Sequence, residues 1–83
     1  MMEEASMSEL RRMLAARVCV ILKASREDRD MSQERLAKSL EWTRAMIANL
    51  EGGRRAVQFA DFVVIARTLN IEPERLLRRV LEW

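Results

Sequence analysis

The stretch SQERLAKSLEWTRAMIANLEGG, Ser32 to Gly53, sets two short helical patterns either side of three residues, Glu41, Trp42 and Thr43. The first pattern has a well-formed start. Ser32 can N-cap it, Met31 can pack on Leu36 as a hydrophobic staple, and Glu34 sits in the first turn, where the macrodipole favours an anion. Its inner face is Leu36, Ala37 and Leu40. Thr43 is again an N-cap residue, and Trp42 stands to Ile47 as Met31 does to Leu36. The chain therefore begins a fresh helix rather than prolonging the old one. Ile47 and Leu50 point inward, and Gly52 and Gly53 end the helix by allowing a left-handed cap. Two short helices joined by about three residues form a helix-turn-helix.

The rest of the chain supplies a helical frame. Residues 1–7 carry no periodic signal and are expected to be a flexible N-terminal tail, leaving a single domain over 8–83. From Ser8, Leu10, Met13, Leu14, Val18, Ile21 and Leu22 recur at helical spacing, and this first helix fades in the charged run Arg26 to Asp30. A fourth helix runs from about Gln58 to Leu69, with Phe59, Phe62, Val63, Ile65, Ala66 and Leu69 as its apolar set. Asn70 can close it in the left-handed conformation, and Pro73 opens a fifth helix within 72–83. The expected fold is all-α, five helices, with no strands and no repeats.

Eighty-three residues bury only a small core, so such domains lean on idealised helix packing, disulfides, metal or self-association. One cysteine makes no internal disulfide, and a chain without histidine offers no soft-ligand cluster for zinc. Cys19, beside Val18 and Val20, reads as a small buried hydrophobe, with a redox switch as the alternative. The run RRMLAARVCVIL imitates a secretory signal, but Arg17 interrupts it and no small-residue cleavage site follows. Nothing approaches the roughly 20 apolar residues of a membrane span, so a cytoplasmic protein is expected. The net charge of +2 does not by itself argue for nucleic acid, because acids nearly match bases. An enzyme is not expected. There is no His, no Tyr and no phosphate-binding glycine loop, and the carboxylates are spread among Lys and Arg instead of converging as an acid and base pair.

Taken together, Ser32-Gln33-x-x-Leu36-Ala37, then Ile47 followed by Leu50-Glu51-x-Gly53, then Ile65-Ala66-x-x-Leu69, resemble the Cro/C1-type helix-turn-helix family. This is also called the xenobiotic-response-element family and is lambda-repressor-like in fold. The likeness runs without gaps from about residue 22 to 77. Gly is usual in that family where this chain has Asp30, Glu41 and Asn70, and an L-residue such as glutamate tolerates a left-handed backbone poorly. Ser25 takes a place that is often apolar.

The resemblance implies a DNA-binding regulator of transcription without a cofactor. The second helix of the pair would enter the major groove, presenting Arg44, Ala45, Ala48 and Asn49, with Thr43 at its cap. Asn49 suits adenine, Arg44 guanine or a phosphate, and the alanines a thymine methyl. Gln33 falls where the family meets the DNA backbone, and Arg54 and Arg55 are placed to clamp phosphate. The plainer alternatives are a first-turn surface residue for Arg44 and solvated loop charge for Arg54 and Arg55. Arg26 and Glu51 match a structural ion pair of the family, and Met46 reads as boundary packing. Regulators of this type read two half-sites, so a homodimer on a palindromic operator is expected, blocking RNA polymerase or contacting it. Leu76, Leu77, Val80, Leu81 and Trp83 of the last helix are the expected interface, and the long first helix is a second candidate surface. Small restriction-modification controller proteins, phage repressors and DNA-binding antitoxins share this layout. The rival is a helical protein-interaction module, such as an antitoxin, whose main work is gripping a protein partner.

Overall fold

The computed structural model describes residues 4–82, with side chains from residue 6 onward. Five helices follow in order: α1 (Glu4–Asp28), α2 (Gln33–Leu40), α3 (Arg44–Glu51), α4 (Phe59–Thr68) and α5 (Pro73–Leu81). No strand occurs among the described residues. Leu22, Leu36, Ile47, Leu50, Ile65, Leu69 and Leu76 are fully buried, so every helix contributes to one core. α2 packs on α3 and α4, and α5 packs on α1 and α4. α1 touches both α3 and α5 and so joins the two halves.

The helix starts are as their cap residues dictate. Ser32 Oγ accepts the Arg35 N–H at 3.0 Å, and Thr43 Oγ1 accepts the Met46 N–H at 3.2 Å. Pro73 occupies the first turn of α5, where its missing N–H costs nothing.

The ends of α1 to α4 share one device. At the end of α2 the Trp42 N–H bonds to the Ala37 carbonyl at 2.8 Å and the Glu41 N–H to that of Lys38 at 3.2 Å. This paired closure recurs after α1 (Met31 to Arg26, Asp30 to Glu27), after α3 (Arg54 to Asn49, Gly53 to Leu50) and after α4 (Ile71 to Ala66, Asn70 to Arg67). Each closure needs one left-handed residue, and these are Asp30, Glu41, Gly53 and Asn70, with φ of 54°, 60°, 79° and 62°. Met31, Trp42 and Ile71, which follow, fold back onto the core. Of the two glycines, only Gly53 is left-handed. Gly52 lies at φ −83°.

Glu41 therefore carries a left-handed cost of about 1–2 kcal/mol that glycine would escape. Glycine gives back about 0.5–1 kcal/mol in backbone entropy. Glu41→Gly is expected to stabilise the fold by up to about 1 kcal/mol, raising the thermal midpoint by a few degrees in a domain this size. A calorimetric midpoint at or below that of the parent chain would contradict this.

Three sequence expectations need correction. Residues 4–7 are not a tail: α1 begins at Glu4, and residues 1–3 lie outside the described residues. Helical periodicity is lost there because the start of α1 overhangs the core. A 25-residue helix is about 37 Å long, and the molecule's long axis reaches 45 Å against 24 and 19 Å across. Phe59 is not a core residue but 82% exposed, at the first position of α4 and on the wall of the open groove between α1, α4 and α5. Leu76 and Val80 are buried in the chain's own core, so they are unavailable as a surface. Leu77 and Leu81, a residue further round α5, are exposed, and Trp83 lies outside the described residues.

Candidate nucleic-acid interface

α3 is held by a buried polar brace. Arg26 Nε donates to Glu51 Oε2 at 2.7 Å and its Nη2 to Glu51 Oε1 at 3.1 Å, a two-pronged pair. Its Nη1 donates to the Met31 carbonyl at 2.7 Å. Gln33 Nε2 donates to Glu51 Oε1 at 3.0 Å. The last residue of α3 is thus tied to the end of α1 and the start of α2. The Arg26 and Glu51 side chains are only 8% and 4% exposed. The hydrogen bonds that Arg26 donates to Glu51 hold its pKa above the ordinary value, so the cation persists.

On this brace α3 turns Ile47 and Leu50 inward and leaves Arg44, Ala45 and Asn49 exposed, with Met46 and Ala48 half-buried between. The two alanines keep that face low. Thr43, exposed at the cap, has its hydroxyl already engaged by Met46. Gln33 is half-buried and spends one N–H on Glu51. Its carbonyl oxygen has no hydrogen-bond donor among the described residues.

The loop after α3 contains two contacts that the sequence alone did not suggest. Arg54 Nε donates to Asn49 Oδ1 at 3.0 Å. A guanidinium only donates, which fixes which end of the Asn49 amide faces it. Asn49 thereby holds Arg54 beside the exposed face of α3. Gly52 permits this fold-back by close approach: a Cβ there would stand 2.7 Å from Arg54 Nη1. The Arg55 guanidinium lies over the Trp42 ring, 4.9 Å from its centre, which fixes a second cation at the turn. Trp42 thus serves both the core and the charged rim. Arg44, Asn49, Arg54 and Arg55 all border one exposed face of the helix-turn-helix.

A family model described as a helix-turn-helix domain matches residues 20–80. The chain belongs to the helix-turn-helix domain family. Among solved structures, this helix-turn-helix chain is similar to the clp gene regulator ClgR from Corynebacterium glutamicum, with a TM-score of 0.77 and 19% sequence identity. The alignment covers 83% of this chain and 73% of that one, a likeness of fold. No curated protein matches.

Other chemistry-bearing groups stand apart from the helix-turn-helix face. Cys19 is buried, and that burial pushes its thiol pKa up, which lowers its reactivity. Among the described residues, no three His, Cys, Asp or Glu side chains gather as a metal site. No described helix is long and apolar enough to cross a membrane.

Proposed function

We propose that this protein is a sequence-specific DNA-binding regulator of transcription of the Cro/C1 type, acting in the cytoplasm without catalysis. The observation that carries this is the exposed face of Arg44, Ala45 and Asn49 on a helix whose far end is fixed by a buried ion pair. A rigid helix of low relief suits the major groove, and Arg and Asn are the side chains that pair with guanine and adenine edges. Arg54 and Arg55, each fixed by a neighbour, supply phosphate contacts on the flank. The family match and the likeness to a gene regulator support the same reading.

Phosphate contact leaves a salt signature. Binding to a mixed-sequence duplex, followed by fluorescence anisotropy, is expected to weaken linearly in log–log form with salt, by about 0.9 per phosphate neutralised. The Arg54→Ala, Arg55→Ala variant is expected to lower that slope by about 2. A slope unchanged by both substitutions would remove these arginines from the interface.

A homodimer on a palindromic operator is part of the proposal. Phe59, Leu77 and Leu81 are 82%, 46% and 58% exposed, and with Leu14, Val57 and Phe62 they line an apolar groove of about 630 Å³ between α1, α4 and α5. Arg67 and Glu74 also border it, and across a two-fold axis each could meet the other's copy. Leu77→Glu with Leu81→Glu is expected to yield a folded monomer in sedimentation, with operator affinity reduced at least tenfold. An unchanged dimer would move the interface elsewhere. Such a dimer would act by blocking RNA polymerase or by contacting it. The same groove favours a second reading, a protein-interaction module of the antitoxin kind, in which the apolar face receives a protein partner and the helix-turn-helix is secondary.

A further inference from the structure

A second cationic region lies on other elements. The end of α1, the α4–α5 turn and α5 enclose a groove of about 470 Å³, lined by Arg29, Arg75, Arg78 and Arg79 together with Asn70 and two glutamates. We propose that this groove is an anion site built for a short run of phosphates, separate from the helix-turn-helix face.

Two of its guanidinium groups are already fixed in place. Arg79 Nη1 donates at 2.9 Å to the hydroxyl of Ser25, a residue with no exposed surface. That bond explains how a serine stands where the family often has an apolar residue. Arg29 Nε donates at 2.8 Å to the Leu69 carbonyl. Each bond spends one of the five N–H donors of its guanidinium, so most of the fork is left for a ligand, and less side-chain freedom is lost on binding.

The other two arginines have no internal task. Arg75 and Arg78 make no hydrogen bond or ion pair among the described residues, although Glu72 and Glu82 line the same groove. Four guanidinium groups against two carboxylates leave the groove with a net positive charge, and a bound anion relieves the repulsion among the arginines. Forked guanidinium groups match phosphate oxygens in pairs.

The spacing sets the occupant. Arg75, Arg78 and Arg79 stand at i, i+3 and i+4 on one face of α5, about 6 Å from end to end along the axis, with Glu72 and Glu82 beyond either end of the row. The positive stretch is therefore short, sized for two or three consecutive phosphates and not for an extended acidic protein. Such phosphates occur in a small oligophosphate, including the tail of a nucleotide, or in a nucleic-acid backbone.

Calorimetric titration of the full chain with inorganic tripolyphosphate at fixed ionic strength tests the site. One equivalent is expected to bind, at least tenfold more weakly to an Arg75→Ala, Arg78→Ala variant and with little change to the Arg54→Ala, Arg55→Ala variant. Both arginines of the first variant are exposed and unpaired, so its thermal midpoint is expected to match the parent and serves as the folding control. The salt slope of duplex binding then separates the two sources. A slope unchanged in the Arg75, Arg78 variant assigns the groove to a free oligophosphate, whereas a slope lower by about 2 assigns it to a nucleic-acid backbone. Tripolyphosphate binding that is absent, or equal in parent and variant, combined with an unchanged slope would overturn the proposal.

Discussion

Arg26→Ala is expected to destabilise the protein by about 3–5 kcal/mol, the cost of leaving a buried charge without its partner. Glu51, with its side chain 4% exposed, would keep only the Gln33 amide as a donor, and the Met31 carbonyl would lose its guanidinium contact. A small domain holds a total of about 5–15 kcal/mol, so this one change removes a large share. Urea denaturation measures it directly as a lower midpoint. Replacing both partners by apolar residues of similar volume, Arg26→Met with Glu51→Leu, is expected to recover most of the loss, because no charge remains buried. A loss below about 1 kcal/mol in Arg26→Ala would mean that the pair is solvated in solution and does not brace α3.

The second large effect falls on binding. Arg44→Ala with Asn49→Ala is expected to leave stability near that of the parent, since both side chains are exposed. It is expected to weaken binding to a selected operator by about two to four orders of magnitude, from about 1–3 kcal/mol per base-reading pair. Part of the Asn49 effect will pass through Arg54, whose guanidinium it holds at 3.0 Å. A double-mutant cycle between Asn49→Ala and Arg54→Ala, measured on operator DNA, isolates that share. The protein-interaction alternative expects the opposite pattern: function survives at Arg44, Asn49 and Arg54 and fails at Leu77 and Leu81.

How far the fold could be read in advance depended on whether a local rule was at work. Ser32 and Thr43 announce two helix starts eleven residues apart because each side chain caps the N–H groups just after it, a contact that needs no tertiary structure. Asn70 could be read as a left-handed closure from its own chemistry, whereas the closures at Asp30 and Glu41 were visible only through the resemblance, which has glycine there. Glu41 adopts the left-handed conformation because the closing hydrogen bonds and the packing of Trp42 on the core outweigh its backbone cost. On α5, the period places Leu76 with Val80 and Leu77 with Leu81, but it does not say which pair faces the chain's own core. Phe59 shows the same limit at a helix end, where an apolar residue can fit the pattern and still be exposed.

The candidate interface divides in the same way. The motif located Arg44, Asn49, Arg54 and Arg55, because their places follow from the two caps and the glycine end of α3. The contacts of Arg54 with Asn49 and of Arg55 with Trp42 depend on the path of a loop and on a side chain folding back over Gly52, which spacing does not encode. The Ser25–Arg79 bond joins residues 54 apart in sequence, with no local signal at either end.

The most direct test of the central claim is an in vitro selection from random duplex DNA at physiological salt, run side by side with the parent chain and the Arg44→Ala, Asn49→Ala variant. The parent is expected to enrich a two-fold symmetric motif with half-sites about one helical turn apart, and the variant to lose it. Failure of the parent to enrich any motif, or enrichment of the same motif by both proteins, would contradict sequence recognition by the exposed face of α3.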